Sequence, residues 1–155
     1  MGYEANIQWF PGHMTKTKRM IEANMKLVDA VVEIVDSRIP ESSRNPVINE
    51  LVGSKPRIII LNKCDYADDN VTAKWKQHYE AQGFAVLQCD CRSGKGINGF
   101  VPLLRKRLAD VIAKRKEKGM IGKALRIMVV GIPNVGKSSF INRMAKSKKT
   151  QVADR

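Results

Sequence analysis

The feature that most constrains the fold is a glycine-rich segment, residues 131–138, with the pattern G-x-x-x-x-G-K-S. It directly follows an apolar run, residues 126–130, and it opens an amphipathic stretch, residues 137–145. A strand, a glycine loop and a helix in this order form a cradle, in which backbone N–H groups and a helix N-terminus surround phosphate oxygens. The segment, called here the phosphate loop, therefore predicts a parallel α/β arrangement and a nucleoside triphosphate site.

Each functional position of the phosphate loop has a chemical reason. Glycine allows the backbone to curl so that successive N–H groups face inward. Lys137 is expected to reach the β- and γ-phosphates, and the hydroxyl of Ser138 is expected to bind Mg²⁺. Ser139, in the first helical turn, can reach the α-phosphate. The predicted nucleotide contacts of this loop are Asn134, Val135, Gly136, Lys137, Ser138 and Ser139.

Strand and helix signals alternate along the rest of the chain. Apolar, β-branched runs predict strands at residues 31–35, 57–61, 84–87 and 126–130. Apolar periodicity and helix-capping residues predict helices at residues 14–27, 46–52, 71–82, 97–118 and 137–145. This alternation is typical of an α/β fold with a mostly parallel sheet flanked by helices. Residues 146–155 are polar and basic, and no closing element is predicted there.

The chain is expected to form one domain, since it has 155 residues of which 43% are hydrophobic. It divides into an N-terminal motif segment (1–27), a base-reading part (28–118) and a phosphate-loop part (123–155). No apolar run approaches the roughly 20 residues that a membrane-crossing helix needs. The three cysteines fall short of a closed zinc site. We expect a monomeric, cytoplasmic protein with reduced thiols and no membrane partner.

Positive charge is concentrated in the second part of the chain. The net charge is +13, and residues 101–155 contain 15 basic and 3 acidic residues. Such asymmetry favours a polyanionic partner, most simply nucleic acid, although a solvated basic face without a partner gives the same pattern. Part of this charge lies in the predicted helix 97–118, at Arg105, Lys106, Arg107, Lys114, Arg115, Lys116 and Lys118.

A possible base-recognition motif follows the predicted strand 57–61. It reads Asn62-Lys63-Cys64-Asp65. A carboxylate at Asp65 can accept hydrogen bonds from both N1–H and N2–H of guanine, and adenine offers no such pair of donors. Asn62 would brace the neighbouring loops, and the methylenes of Lys63 would cover one face of the base. The sequence therefore predicts that the nucleotide is a guanine nucleotide.

This tetrapeptide resembles the fourth motif of the Ras-like GTPases. Residues 90–96, after the next predicted strand, resemble the fifth motif of the same family, which is usually read S-A-K. Here Asp90 replaces the serine and Cys91 replaces the alanine. The resemblance implies that guanine O6 is contacted by the backbone N–H of Cys91, a contact that the change of side chain need not abolish.

The order of these motifs is unusual, because the fourth and fifth precede the phosphate loop. The chain therefore resembles a circularly permuted GTPase. Residues 8–14 and 36–40 are similar to motifs of the bacterial ribosome biogenesis GTPase A family (RbgA, also called YlqF). That resemblance implies a GTP-binding, GTP-hydrolysing switch that assists late assembly of the large ribosomal subunit. It also implies that the subunit and its rRNA are bound in the GTP state.

The family resemblance also suggests two further site residues. His13 matches a histidine proposed to act in hydrolysis in place of the usual glutamine; the alternative is an ordinary polar residue packed by Trp9 and Phe10. Asn134 matches a phosphate-loop asparagine that coordinates potassium in related GTPases. The cofactors implied are GTP or GDP, Mg²⁺ and K⁺.

The switch and third-motif elements of a complete GTPase are missing from the sequence. No aspartate is followed three positions later by glycine, the pattern that senses the γ-phosphate and holds Mg²⁺. Members of the family continue with these elements and a helical C-terminal domain, so we expect the chain to be an incomplete GTPase that hydrolyses GTP poorly alone. The alternatives are a P-loop NTPase or kinase with a different partner, and a basic RNA-binding module with a vestigial nucleotide site.

Overall fold

The computed structural model describes residues 7–11, 18–38, 40, 46–62, 68–120, 124–131, 136–145 and 150–152. Within these ranges, strands and α-helices alternate along most of the chain. In chain order they are β1 (Ile7–Pro11), α1 (Lys18–Met25), β2 (Ala30–Asp36), α2 (Pro46–Val52), β3 (Arg57–Asn62), α3 (Asp69–Ala81), β4 (Ala85–Gln88), α4 (Phe100–Arg107), α5 (Ala109–Glu117), β5 (Leu125–Val130), α6 (Lys137–Ala145) and β6 (Thr150–Val152).

The strands form one sheet in the order β4-β3-β2-β5-β1-β6. Every neighbouring pair is parallel. Strands β2 to β5 lie within about one residue of the four predicted strands, and the predicted α/β class with a parallel sheet flanked by helices is confirmed. Parallel pairing brings the carboxyl ends of the strands to one edge of the sheet, which is where ligands bind in open α/β folds.

Helices cover both faces of this sheet, and the apolar runs of the strands follow from that. Every residue of β2 and β3 is buried. Val32 and Ile34 pack in a cluster with residues of α4 and α6, whereas Val31 packs with α1 and α2 on the opposite face. Val35 joins Tyr79 of α3 on that second face. A strand buried on both faces reads as a continuous apolar run, which is why the sequence showed these strands clearly.

Strand β1 was not predicted. Ile7 and Trp9 are fully buried, and Gln8 between them is half-buried. The indole ring of Trp9 lies 5.6 Å from the ring of Phe100 and 5.4 Å from that of Phe140, between ring centroids. Aromatic packing therefore joins the N-terminal strand to the helix that follows the phosphate loop. The alternation of apolar and polar residues at positions 7–9 was the available signal for this strand.

Strand β6 also differs from the predictions. It pairs with β1 through residues 150–152, in a stretch where no closing element was expected. Three residues of edge strand carry too little pattern to be recognised from sequence.

The long helix predicted at residues 97–118 is divided. A short 3₁₀ helix, Ile97–Gly99, leads into α4, and Leu108 separates α4 from α5. The N–H of Leu108 still donates to the carbonyl of Leu104, and the carbonyl of Leu108 accepts from Ile112. The division is thus a local distortion at a buried leucine, and the two helices continue in one hydrogen-bonded run.

Two other helices begin or end differently from the predictions. Helix α3 starts two residues earlier than expected, because Asp68 caps it by accepting hydrogen bonds from the N–H groups of Asn70 and Val71. Helix α1 spans Lys18–Met25 within the predicted 14–27, whose first residues lie outside the described ranges. None of the helices in the described ranges has the length and apolar character needed to cross a membrane.

Candidate functional site

The three sequence motifs meet at the side chain of Asn62, the last residue of β3. Its Oδ1 accepts a hydrogen bond of 2.8 Å from the backbone N–H of Cys91. Its Nδ2 lies so close to Gly136 that a Cβ on residue 136 would be 2.1 Å away. Asn62 is 2% exposed. One buried amide therefore joins the fourth-motif segment, the fifth-motif segment and the phosphate loop, at the carboxyl edge of the sheet.

The fifth-motif segment forms a tight turn, which we call the base loop (residues 90–95). The Oδ1 of Asp90 accepts hydrogen bonds from the N–H groups of Arg92 and Ser93, at 2.9 and 3.3 Å. The carbonyl of Asp90 also accepts from the N–H of Gly94, at 2.8 Å. The aspartate that replaces the family's serine thus stabilises the turn. Because the N–H of Cys91 already donates to Asn62, a guanine O6 would share this donor with the amide.

Two buried thiols lie at the start of the base loop. Cys89 and Cys91 are fully buried, with their Sγ atoms 3.8 Å apart. The hydrogen bond with the Cys91 thiol, together with burial, raises the pKa of Cys89 above its ordinary range. A protonated, buried thiol is a poor metal ligand. Among the described residues, no group of three or more His, Cys, Asp or Glu side chains is placed to hold a metal ion.

The second part of the phosphate loop is arranged as a helix N-terminus. Gly136 adopts φ +103°, a conformation that favours glycine, and α6 begins at the next residue. Lys137 is half-buried, and this burial lowers the pKa of its ammonium group. Ser138 is exposed, and Ser139 is half-exposed. The N–H groups of a helix start, a partly desolvated cation and a hydroxyl can together bind an anion.

The segment after β2 reaches the same edge of the sheet. Asp36 lies opposite Asn62 in the strand register, and the N–H of Ser37 donates to the backbone carbonyl of Asn62. The carboxylate of Asp36 forms a two-pronged ion pair with Arg38, in which Nη2 and Oδ2 are 2.7 Å apart. Residues 36–40 had been singled out only through family resemblance. The structure places Asp36, Ser37 and Arg38 beside the residue that joins the loops.

Arg143, on α6, was not among the predicted site residues. Its Nε donates a 2.9 Å hydrogen bond to the carbonyl of Cys91, and its Nη2 donates to the carbonyl of Arg92. The residue lies outside both the phosphate-loop pattern and the fifth motif, and it is far from the base loop in sequence. No sequence signal pointed to it, because the contact depends on how the fold places α6 beside the base loop.

Six of the predicted site residues lie outside the described ranges. They are His13, Lys63, Cys64, Asp65, Asn134 and Val135. Their roles stay predictions from the sequence. The described members are Asn62, Asp90, Cys91, Gly136, Lys137, Ser138 and Ser139. Among these, Asn62 contacts both Cys91 and Gly136.

Sequence comparison relates this chain to proteins that are named as GTPases. The family model described as "50S ribosome-binding GTPase" matches residues 126–155. Ribosome biogenesis GTPase A of Bacillus licheniformis is 48% identical over 149 residues, which span 96% of this chain and 53% of that protein. The protein of the same name from Priestia megaterium is 47% identical over 150 residues, spanning 96% of this chain and 52% of that protein.

A solved structure supports the relationship at the level of the fold. The GNP-bound YlqF of T. maritima superposes with a TM-score of 0.57 at 31% identity, over 86% of this chain and 48% of that one. The parallel sheet, with a phosphate loop that follows the base-recognition motif in sequence, is a circularly permuted P-loop GTPase fold. The chain is a homologue of ribosome biogenesis GTPase A (RbgA/YlqF). It spans about half the length of the curated relatives that it matches.

The contact between Asn62 and Gly136 can be tested by adding a methyl group. Gly136→Ala should lower the free energy of unfolding by about 1–3 kcal/mol more than Gly83→Ala does, measured by urea denaturation. Gly83 is the matched control: its φ is +94°, and a Cβ there would meet no described atom within 4 Å. In both variants the positive φ destabilises a residue with a Cβ by about 1–2 kcal/mol. Only Gly136→Ala also displaces the side-chain amide of Asn62.

A double variant identifies the contact that causes the additional loss of unfolding free energy in Gly136→Ala. In an Asn62→Ala background the additional loss caused by Gly136→Ala should disappear, since the clashing amide is gone. Equal losses in Gly136→Ala and Gly83→Ala would show that Asn62 does not constrain position 136.

Proposed function

We propose that residues 1–155 act as one circularly permuted GTPase domain, which binds and hydrolyses GTP as a switch in late assembly of the large ribosomal subunit. The observation that carries the proposal is the placement of Asn62 against both Cys91 and Gly136. A base-recognition loop and a phosphate loop held together by one buried amide make a site for a whole nucleotide. The relatives named ribosome biogenesis GTPase A supply the biological context.

The described part of the phosphate loop fits a magnesium-bound triphosphate. Lys137 would contact the β- and γ-phosphates, and the exposed hydroxyl of Ser138 would be a ligand of the ion. Mg²⁺ in nucleotide sites is held mainly by phosphate oxygens and water, so it needs few protein ligands. Bound Mg²⁺ would neutralise the charge that develops on the phosphates.

The remaining site roles rest on the sequence. Asp65 would select guanine, Asn134 would coordinate an activating potassium ion, and His13 would assist hydrolysis. The 155 residues contain no aspartate followed three positions later by glycine. We therefore expect this chain to bind GTP readily and to hydrolyse it slowly.

The proposed partner is rRNA of the large subunit. We also expect the protein to be cytoplasmic and monomeric. Lys106, Lys114 and Lys118 are exposed on or beside α4 and α5. Arg115, also expected to face the partner, has a different role: its guanidinium pairs with Asp29 and donates to the carbonyl of Ala124. Arg115 thus attaches the end of α5 to the start of β5.

Base choice is the first test. The chain should bind GDP and GTP more tightly than ADP and ATP by orders of magnitude, because a wrong base would leave the Asp65 carboxylate unpaired. Asp65→Asn should weaken guanine binding and improve binding of xanthine nucleotides, whose C2 carbonyl can accept from the new amide. Isothermal titration calorimetry with the four nucleotides measures this. Equal affinity for ATP and GTP would contradict the assignment.

The phosphate subsite is tested by Lys137→Ala and Ser138→Ala. Lys137→Ala should weaken GTP binding at least tenfold, through loss of a charge-assisted contact. Ser138→Ala should weaken GTP binding only when Mg²⁺ is present, and EDTA should abolish its difference from the parent protein. Exposed Lys106→Ala is the matched control. Unchanged GTP affinity in Lys137→Ala would contradict the site.

The partner is tested by sedimentation with large ribosomal subunits at several salt concentrations. Binding should be tighter with a GTP analogue than with GDP, and it should fall steeply as salt rises. Replacing Lys106, Lys114 and Lys118 by alanine should make the dependence of the binding constant on salt less steep. The slope of its logarithm against the logarithm of salt concentration should shrink by about 2–3 in magnitude. Replacing Lys26, Lys74 and Lys76, in the nearly neutral part of the chain, should change it little. Binding that ignores both salt and nucleotide would contradict the proposal.

A further inference from the structure

Arg143 connects the helix of the phosphate loop to the base loop. It lies in the second turn of α6, the helix that begins at Lys137. Its Nε and Nη2 donate to two consecutive carbonyl groups, those of Cys91 and Arg92. A planar guanidinium that donates two hydrogen bonds fixes both the position and the orientation of the peptides that accept them.

The base loop is shaped to admit this guanidinium. Gly94 adopts φ +89°, and a Cβ at that position would lie only 2.7 Å from Nη1 of Arg143. A side chain on residue 94 would therefore take the space that the arginine head occupies. The turn held by Asp90 ends at this glycine, since the N–H of Gly94 donates to the carbonyl of Asp90.

The backbone of Cys91 is consequently held from two sides. Its N–H donates to Asn62 at the end of β3, and its carbonyl accepts from Arg143 on α6. Asn62 also contacts Gly136, the residue that precedes α6. The base loop, β3 and the phosphate-loop helix thus form a closed set of contacts around the backbone of one residue.

We propose that Arg143 is a positioning residue for guanine selectivity, which fixes the base loop relative to the phosphate-loop helix. The inference rests on the proposed function, since it assumes that the nucleotide spans both loops. Arg143 acts through the backbone of the base loop. A base is selected only when its partners are fixed to within a fraction of an ångström, so freeing the loop should cost affinity for the cognate base alone.

A merely structural role predicts a different result. If Arg143 only attached α6 to the rest of the domain, its loss would disturb the start of α6 as well, and all nucleotides would be affected alike. The ratio of GDP to ADP affinity separates the two roles, because both nucleotides carry the same diphosphate.

The experiment uses the whole chain with Arg143→Gln, Arg143→Lys and the control Arg107→Gln, which makes the same change at an exposed arginine of α4. Dissociation constants for GDP and ADP are measured by competition against a fluorescent GDP analogue with Mg²⁺. Arg143→Gln should weaken GDP binding about tenfold and change ADP binding less than twofold. Arg143→Lys keeps the positive charge and loses the planar pair of N–H donors. Its affinity for GDP should therefore lie between those of the parent protein and Arg143→Gln. Arg107→Gln should match the parent protein.

The outcomes separate the inference from the function on which it rests. An unchanged GDP-to-ADP ratio in Arg143→Gln, whether both affinities fall or neither does, would overturn the positioning role. A parent protein that binds GDP and ADP equally would overturn the guanine site itself. Should Arg143→Gln fail to fold, as judged by circular dichroism, Arg143→Lys supplies the same comparison.

Discussion

The hydrogen bonds and close packing of the Asn62 amide are the contacts on which the rest of the site depends. This side chain lies at the end of a central, fully buried strand, so the sheet itself fixes its position. It accepts from the peptide of Cys91 and leaves room at position 136 only for glycine. An amide that both donates and accepts suits this place, because buried polar groups need partners on every side.

The sequence predicted a strand well where helices bury that strand on both faces of the sheet. Strands β2, β3 and β5 are apolar along nearly their whole length, and their bounds were predicted almost to the residue. β1 was missed because its pattern is short and overlaps a motif noticed for other reasons. The division at Leu108 could not be foreseen, since the helical hydrogen bonds continue past it. Such distortions are decided by packing against the sheet.

The site was predictable where a local pattern carries its own chemistry. The phosphate loop and the segment beginning at Asn62 are contiguous, and each residue type has a reason to be there. Arg143 and the Asp29–Arg115 ion pair join residues distant in sequence, and neither belongs to a motif. Their roles follow from which helix packs beside which strand. The charge pattern groups Arg115 with the other basic residues of its helix, and the structure adds that its guanidinium pairs with Asp29.

The position of β1 in the sheet has a consequence for the order in which the domain assembles. Strand β1 pairs with β5 and β6, which follow it by more than a hundred residues, whereas the β2–β3 and β3–β4 pairs join strands near each other in sequence. Closing a loop of more than a hundred residues costs more conformational entropy than closing a short one. During synthesis strands β2, β3 and β4 can therefore pair first. The indole of Trp9 can pack against Phe140 only after that residue has been synthesised. Until then, the N-terminal strand is a hydrophobic segment without its partners.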